Sequence, residues 1–395
     1  MNLVFVDINS RQNLLPLTYT KPTSQLRCGI LSLEEKWKFY LHGEFSHLTA
    51  DYLQDKYPIK LKDDNWVINP LAMPNKKLIE EIHHLDQGTA LYKDKLLIAA
   101  RISESELKAW QGGIEPTLEL SELKPELNVI EFPWHLFQNN KEQIQHDYEL
   151  LTKGRSSSTI HESTTLIGSQ IFIEEGAKLP FCTLNASDGP IYIGKNSEIM
   201  EGSLIRGPFA ICENSIVKMG AKIYGSTTIG PYCKVGGEVS NSVFFGYSNK
   251  GHDGFLGNSV IGEWCNLGAD TNTSNLKNNY ANVKLWNYES ESFINTNLQF
   301  CGLVLGDHSK CGINTMFNTG TVVGVFANIF GSGFPRNFVP SFSWGGNKGF
   351  STYLTKKAFE VASIVMERRG CEFSDKDAEI LKEVFEISKK YRSSY

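Results

Sequence analysis

The sequence predicts an α/β domain followed by a parallel β-helix with helices at its carboxyl end. Three observations carry that reading. Strand and helix signals alternate over residues 1–150, an aliphatic side chain returns at every sixth position through the middle, and residues 350–395 read as helix. The 395 residues suffice for two or three domains at about 150 residues each.

In the first part, residues 3–6 form a short buried strand and residues 29–40 an amphipathic helix. Strands follow at 66–69, 96–101 and 128–132, with helices at 75–85 and 141–153. Such alternation argues for an α/β layer with a mainly parallel sheet. The polar run Gly154-Arg155-Ser156-Ser157-Ser158-Thr159 is a plausible boundary. It divides the chain into 1–155, a β-helix over 160–345 and a helical cap over 346–395.

In the second part, Ile193, Ile199, Ile205, Ile211, Val217, Ile223, Ile229 and Val235 keep one phase. Shorter runs are Ile167, Ile173 and Leu179, then Ile261 and Leu267, then Leu305, Cys311, Phe317, Val323 and Ile329. Glycine follows many of them, as in Val235-Gly236 and Leu267-Gly268. A period of six suits neither an α-helix nor a simple strand alternation. It marks the hexapeptide parallel β-helix, in which three hexads make one triangular coil. Stacked coils pair their strands around a shared aliphatic column. Fully formed helices of this kind are left-handed, an exception to the right-handed crossover rule. The separations Leu179–Ile193, Val235–Ile261 and Leu267–Leu305 each exceed a multiple of six by two. Loops are therefore expected near 181–192, 240–258 and 275–300, and loops on a rigid scaffold tend to carry function.

In the third part, Ser374-Asp375-Lys376-Asp377 is a capping box before a helix over 378–391. Residues 354–369 form a second helix. The pair is expected to cover the open end of the solenoid, whose last coil otherwise exposes strand edges.

Composition narrows the function. There are 39 lysines and arginines against 44 aspartates and glutamates, a net charge of −5. That argues against general nucleic-acid binding, which needs a basic footprint. The apolar run Leu96-Leu97-Ile98-Ala99-Ala100 is far short of the ~20 residues of a membrane span. The start meets Asp7 at once and reads as a first strand, not a signal peptide. Eight cysteines without a CxxC pair make a zinc site unexpected and suit a reducing cytoplasm.

One segment carries chemistry. It runs Ser248-Asn249-Lys250-Gly251-His252-Asp253-Gly254-Phe255-Leu256-Gly257 and continues to Asn266-Leu267-Gly268-Ala269. It is similar to the acetyltransferase segment of the bifunctional N-acetylglucosamine-1-phosphate uridyltransferase/glucosamine-1-phosphate acetyltransferase family. With an α/β domain ahead of a β-helix, the whole chain resembles that family. More closely, it resembles the sugar nucleotidyltransferase/acyltransferase proteins of the Bacteroidetes type. The resemblance implies acyl transfer from acetyl-CoA to a sugar phosphate or nucleotide sugar. It places His252 as the catalytic base, Phe255 where the family has a substrate-binding tyrosine and Asn266 where it has a substrate-binding asparagine. Ala269 falls where backbone groups meet the acetyl-CoA thioester. Lys222, Lys234 and Lys250 are candidate substrate-binding residues, the first two only neighbours of the family's phosphate-gripping arginine, and Arg336 and Lys348 are candidates for a CoA phosphate.

The resemblance also implies a homotrimer with active sites between neighbouring solenoids. Aromatic residues in the expected loops, Phe244, Phe245, Tyr247, Phe255, Tyr280, Trp286, Tyr288 and Phe293, supply a physical motive, because a single bore cannot bury them.

The chemistry stands on its own terms. Acyl transfer from a thioester to an amine needs a base for the amine proton and a donor for the carbonyl oxyanion. Histidine titrates near neutrality. In extended chain Asp253 points to the opposite face from His252, so another group is expected to orient the ring.

The amino-terminal domain departs from the resemblance. Active members carry a glycine-rich loop after the first strand, whose amides cradle a triphosphate. Here that loop is Asp7-Ile8-Asn9-Ser10-Arg11, without glycine. What survives is Arg11 and then Pro16-Leu17-Thr18-Tyr19-Thr20-Lys21-Pro22; Thr23 falls at the family's catalytic lysine. Asn69 stands where a Mg²⁺-binding carboxylate is expected, and an amide is the weaker ligand. Arg11, Lys21, Arg27 and Asn69 are the candidate nucleotide-binding residues. The domain is expected to bind a sugar nucleotide without turning it over, with Mg²⁺ entering only if nucleotidyl transfer is active. Active sugar-1-phosphate nucleotidyl transfer and a non-enzymatic sugar-nucleotide sensor are the alternatives.

Overall fold

The computed structural model describes residues 1–124 and 126–392. The chain forms two compact units. The first holds residues 1–14, 20–26 and 31–131; the second holds 15–19, 27–30 and 132–395.

The first unit is built on a six-stranded sheet. Asn2–Val6 pairs in parallel with Glu44–Leu48 and with Asn65–Ile68. The far side is a hairpin, Thr89–Lys93 with Leu96–Ile102, antiparallel to Asn65–Ile68 and flanked in parallel by Glu119–Glu122. The first strand is buried on both faces: Leu3 and Phe5 enter one apolar cluster, Val4 and Val6 the other. That explains its continuous apolar run. The helix Leu33–Tyr40 starts at a capping box between Ser32 and Glu35, and Lys76–His83 starts under the Asn75 side chain. The strand expected at 128–132 does not form; Val129 makes a single bridge to Ala72.

The second unit is a three-faced parallel β-helix. Its first face runs through Ile191–Ile193, Phe209–Ile211 and Thr227–Ile229 to Phe338–Val339. Its second face runs from Glu198–Ile199 to Ser343–Gly346 and ends in an antiparallel strand, Gly349–Thr352. The third runs from Thr165–Ile167 to Phe255–Gly257, followed by the pair Asn272–Thr273 and Met316–Phe317. Apart from Ile167, which is exposed, the every-sixth residues meet in one buried column that runs from Ile173 through Ile229 to Val339. The helix Asn140–Thr152 belongs to this unit. Its Ile144 packs against Phe172, Tyr192 and Ala210, and its Asp147 accepts the Ile30 N–H at 2.8 Å.

The three expected loops have different fates. Residues 275–300 do leave the coil and carry a hairpin, Lys284–Asn287 with Ser292–Asn295. Residues 181–192 stay in the coil as the strand Thr183–Asn185 and its turn. Residues 240–258 are not a loop. Coils there fall short of three full hexads: Ile229 pairs with Phe244 and Val235 with Lys250, where full coils would bring them to Tyr247 and Asp253. The phase slip arises from shortened turns, which periodicity cannot tell from an insertion.

The motive for aromatic exposure fails with it. Phe244, Phe245 and Tyr288 are buried within the chain. Tyr247 stacks between Tyr232 and Trp264 with centroids 4.8 and 4.1 Å away, and Trp286 stacks on Phe338 at 4.3 Å. Only Tyr280 and Phe293 of that set are exposed.

The terminal helices Thr355–Glu367 and Asp375–Ile387 lie along a flank of the solenoid. They pack on a ladder of rings at the corner between first and second faces, with Phe359 beside Phe326 and Phe385 beside Phe342. The capping box of Ser374 and Asp377 forms as expected.

Candidate active site

The second face decides where the candidate residues point. Its outer column is Glu198, Ile216, Lys234, Asn249, Asn266, Lys310, Asn328 and Trp344, one residue per strand in register. The next residue of each strand points into the bore. Those are Ile199, Val217, Val235, Lys250, Leu267, Cys311 and Ile329. Lys250 thus occupies an aliphatic position and is 1% exposed. Its Nζ donates to the carbonyls of His252 at 2.8 Å and Gly236 at 3.1 Å. Burial pushes the ammonium down to about 8, with Asp253 and Asp270 offsetting part of the shift. Lys250 is therefore corrected from a substrate ligand to an internal brace under the His252 turn.

His252 is exposed on the turn from the second face to the third. The turn 251–254 is layered between Gly236–Gly237 and the following turn, where Asp270 donates its N–H to the Asp253 carbonyl at 3.1 Å. Ala269 lies in that following turn and is half-buried. Among the described residues the His252 ring makes no hydrogen bond and no ion pair, with Asp253 or any other residue. Gly251, just before it, is a different case from its neighbours. Its φ is not positive and a Cβ there would meet nothing within 4 Å. The fold does not require glycine at 251, so its smallness leaves open surface beside His252.

Phe255 begins the third face, half-buried, its N–H donating to Asn272 Oδ1 at 2.9 Å. Asn266 lies on the outer second face and accepts a long bond from Asn249 at 3.4 Å. The structure thus gathers His252, Phe255, Ala269 and Asn266 around one corner. Lys234 stands beside Asn249, and exposed Lys222 lies in line with Glu238 and Phe255 on the third face. Lys348 occupies the exposed turn after Trp344, four strands and about 19 Å along the column from Asn249. Arg336 is exposed in the segment before Phe338–Val339. Sequence reasoning missed Lys218, Asn249, Arg368 and Arg369. Arg369 donates from Nη2 to Asn249 Oδ1 at 2.9 Å across 120 residues of chain, a contact no local pattern signals.

In the first unit the candidate nucleotide residues are engaged internally. Asp7 accepts the Thr23 N–H at 2.9 Å and the Thr23 and Thr49 hydroxyls at 2.5 Å, and pairs with Arg11 at 3.2 Å. Arg11 also donates to Tyr52 at 2.7 Å. The side chains of Asn9 and Ser10 lie outside the described residues. Lys21 is 3% exposed. Asn69 is fully buried; its amide donates to the Leu97 carbonyl at 2.8 Å and accepts the Leu71 N–H at 3.0 Å. It closes a strand end and is corrected from a ligand position to a structural one. Arg27 belongs to the second unit and donates to the Ile30 carbonyl. Asp7 and Asn69, both committed to internal partners, do not fit a Mg²⁺ site.

The sugar nucleotidyl transferase family matches residues 3–156. Synechococcus elongatus bifunctional protein GlmU is 29% identical over 178 residues, 43% of this chain and 35% of that protein. The chain is similar to the GlmU-type nucleotidyltransferase/acetyltransferases. A bifunctional sugar-1-phosphate nucleotidylyltransferase/acetyltransferase of Sulfurisphaera tokodaii is 27% identical over 280 residues, covering 67% of this chain and 60% of that one. The chain thus spans between about a third and three fifths of the length of these relatives. Among solved structures, LpxA of Bacteroides fragilis, a UDP-N-acetylglucosamine acyltransferase, aligns at 15% identity and TM-score 0.27, covering 60% of this chain and 85% of that one. Among the described residues, no helix is long and apolar enough to cross a membrane.

Proposed function

We propose that the β-helix transfers an acyl group, acetyl in the simplest case, from acyl-CoA to the amine of a phosphorylated or nucleotide-linked amino sugar. The observation that carries this reading is His252 itself: an exposed imidazole without an internal partner among the described residues, beside the open surface at Gly251, on a turn braced from beneath by Lys250. His252 takes the amine proton as the nitrogen attacks the thioester carbonyl, and the proton passes to the CoA sulfur as the carbon–sulfur bond breaks and the thiol leaves. The Asn266 amide and the Ala269 N–H are the donors for substrate and oxyanion, since the N–H groups of Gly268 and Asp270 are bonded to Cys311 and Asp253. The glycine positions Gly251, Gly268 and Gly312 follow one another along the axis on the way toward Lys348. The open surface at Gly251 and Gly312 leaves room for the pantetheine arm, with Arg336 and Lys348 at the far end for its phosphates, while Gly268 is closed against the Gly312 backbone.

The amino-terminal domain binds a sugar nucleotide in this reading but does not transfer the nucleotidyl group, because Asp7, Arg11 and Asn69 are spent on internal bonds. Assembly is as a homotrimer in the cytoplasm. The support is not the loop aromatics but Phe181, Met219 and Ile313, exposed on the same corner as His252 at 65, 69 and 69%.

The test is thiol release from acetyl-CoA with amino-sugar phosphates and nucleotide amino sugars as acceptors. His252→Ala should lower kcat by at least ~10²-fold with acyl-CoA affinity nearly unchanged. Equal turnover in the two proteins would remove His252 from the reaction.

A further inference from the structure

Four cations gather where the second face meets the end of the helix Thr355–Glu367. Lys234 stands on the outer surface, paired in register with Asn249. Arg369 bonds that same Asn249 at 2.9 Å, and exposed Arg368 is its chain neighbour. Lys218 runs beside the same strand. Its N–H donates to the Val235 carbonyl at 2.7 Å, and its Cβ would lie 3.0 Å from a Cβ placed on Gly236. Among the described residues, none of the four forms an ion pair with a carboxylate.

This arrangement is costly by itself. Partial burial lowers the Lys234 ammonium, and the charges of Arg369, Lys218 and Arg368 lower it further. The partial negative charge at a helix's carboxyl end favours the two arginines. It does not account for the two lysines placed beneath them. Adjacent strands lie about 4.8 Å apart, so the positive surface extends over roughly 10 Å. An anion with several oxygens would relieve the repulsion and complete the arginine's hydrogen bonding. The chain as a whole is acidic, at net charge −5, so the cluster runs against the general charge.

We propose that Lys218, Lys234, Arg368 and Arg369 form a binding site for a phosphate ester. Asn249 holds the Arg369 guanidinium in place for it. The site lies one strand from Gly251 and His252, so a molecule anchored by its phosphate keeps its remainder within reach of that histidine. Two sources carry this chemistry: the phosphate of an acceptor sugar, with the acyl donor lying toward Lys348, or the nucleotide end of an acyl donor that runs in the opposite sense, away from Arg336 and Lys348. Only the choice between them rests on the acyl-transfer reading.

The experiment is calorimetric titration of the full chain with adenosine 3′,5′-bisphosphate, glucosamine 1-phosphate and inorganic phosphate, at low and at physiological salt. At least one ester is expected to bind, more weakly as salt rises. Arg369→Gln and Lys234→Gln, one on the helical segment and one on the solenoid, should each weaken it at least ~10-fold, as loss of a charge-assisted contact does. Circular dichroism and melting temperature establish that both variants are folded. A preference for the bisphosphate assigns the site to the donor, and a preference for the sugar phosphate assigns it to the acceptor; both uphold it. No ester binding at millimolar concentration, or equal affinity in both folded variants, overturns it. His252→Ala should bind the ester as the parent does, which separates this site from the catalytic reading: binding without acyl transfer sinks only the latter.

Discussion

Lys250→Met is the perturbation that most directly tests the structure around His252. The substitution keeps the length of the side chain and removes its charge from the apolar column. Burial holds the native ammonium at about 8, against an ordinary value of 10.5. At 1.36 kcal/mol per pKa unit, the buried charge costs about 3 kcal/mol of stability. The sign follows from proton counting. Above pH 10.5 the lysine is neutral in both states and there is no cost. Between 10.5 and 8 the unfolded chain binds the proton first, so stability falls as pH falls. Below 8 the full cost is present. Other titrating groups are common to parent and variant and cancel in the difference. Urea unfolding of the β-helix at pH 7 and pH 10 should show the parent gaining roughly 2–3 kcal/mol on the variant as pH rises. The carbonyls of His252 and Gly236 lose their donor in the variant, so kcat should fall with little change in KM for acyl-CoA. A stability difference that is flat with pH would refute the placement of a charged lysine in the bore.

Gly251→Ala should fold normally, because a Cβ there meets nothing within 4 Å and φ is unstrained. It should nonetheless lower kcat/KM for acyl transfer by about 10-fold or more, since a methyl group displaces an approaching substrate by more than a bond length; unchanged kinetics would mean that no ligand passes Gly251. UTP or dTTP with common sugar 1-phosphates should release little or no pyrophosphate, and turnover near the ~10 s⁻¹ typical of enzymes would show that Asp7 and Arg11 exchange their internal partners for substrate. Light scattering at micromolar concentration should give three times the 44.3 kDa chain mass; a mass of one chain would place the site within a single solenoid.

The candidate site is partly legible in the sequence because its backbone is local. His252, Phe255, Asn266 and Ala269 lie within a single coil's length of chain, and a parallel coil brings such residues to one corner whatever the details of its turns. Lys250 misleads for the same reason that Val235 does not. Once the turns shorten by half a hexad, the hexad phase no longer tells which residue faces the bore. Asn69 looks like a ligand position because a strand end is where ligands gather; only its bonds to Leu97 and Leu71 show that it is used by the backbone. Lys218, Arg368 and Arg369 carry no mutual signal, since their proximity depends on where the terminal helix lies.

The sequence by itself determined the β-helix, its aliphatic column and the terminal helices, the second of them capped by Ser374 and Asp377, because each depends on a short repeat, a local apolar pattern or a local hydrogen bond that neighbouring residues specify. It also determined that a histidine stands among glycines, though in an expected loop that the structure shows to be a coil turn. Tertiary structure decided which way Lys250 points, which loops exist, what covers the aromatic rings and which cations meet at Asn249. Those depend on register between strands of successive coils, and on one contact spanning 120 residues. A one-residue change of register reverses inside and outside, and that information is held by the stack of coils rather than by any one of them.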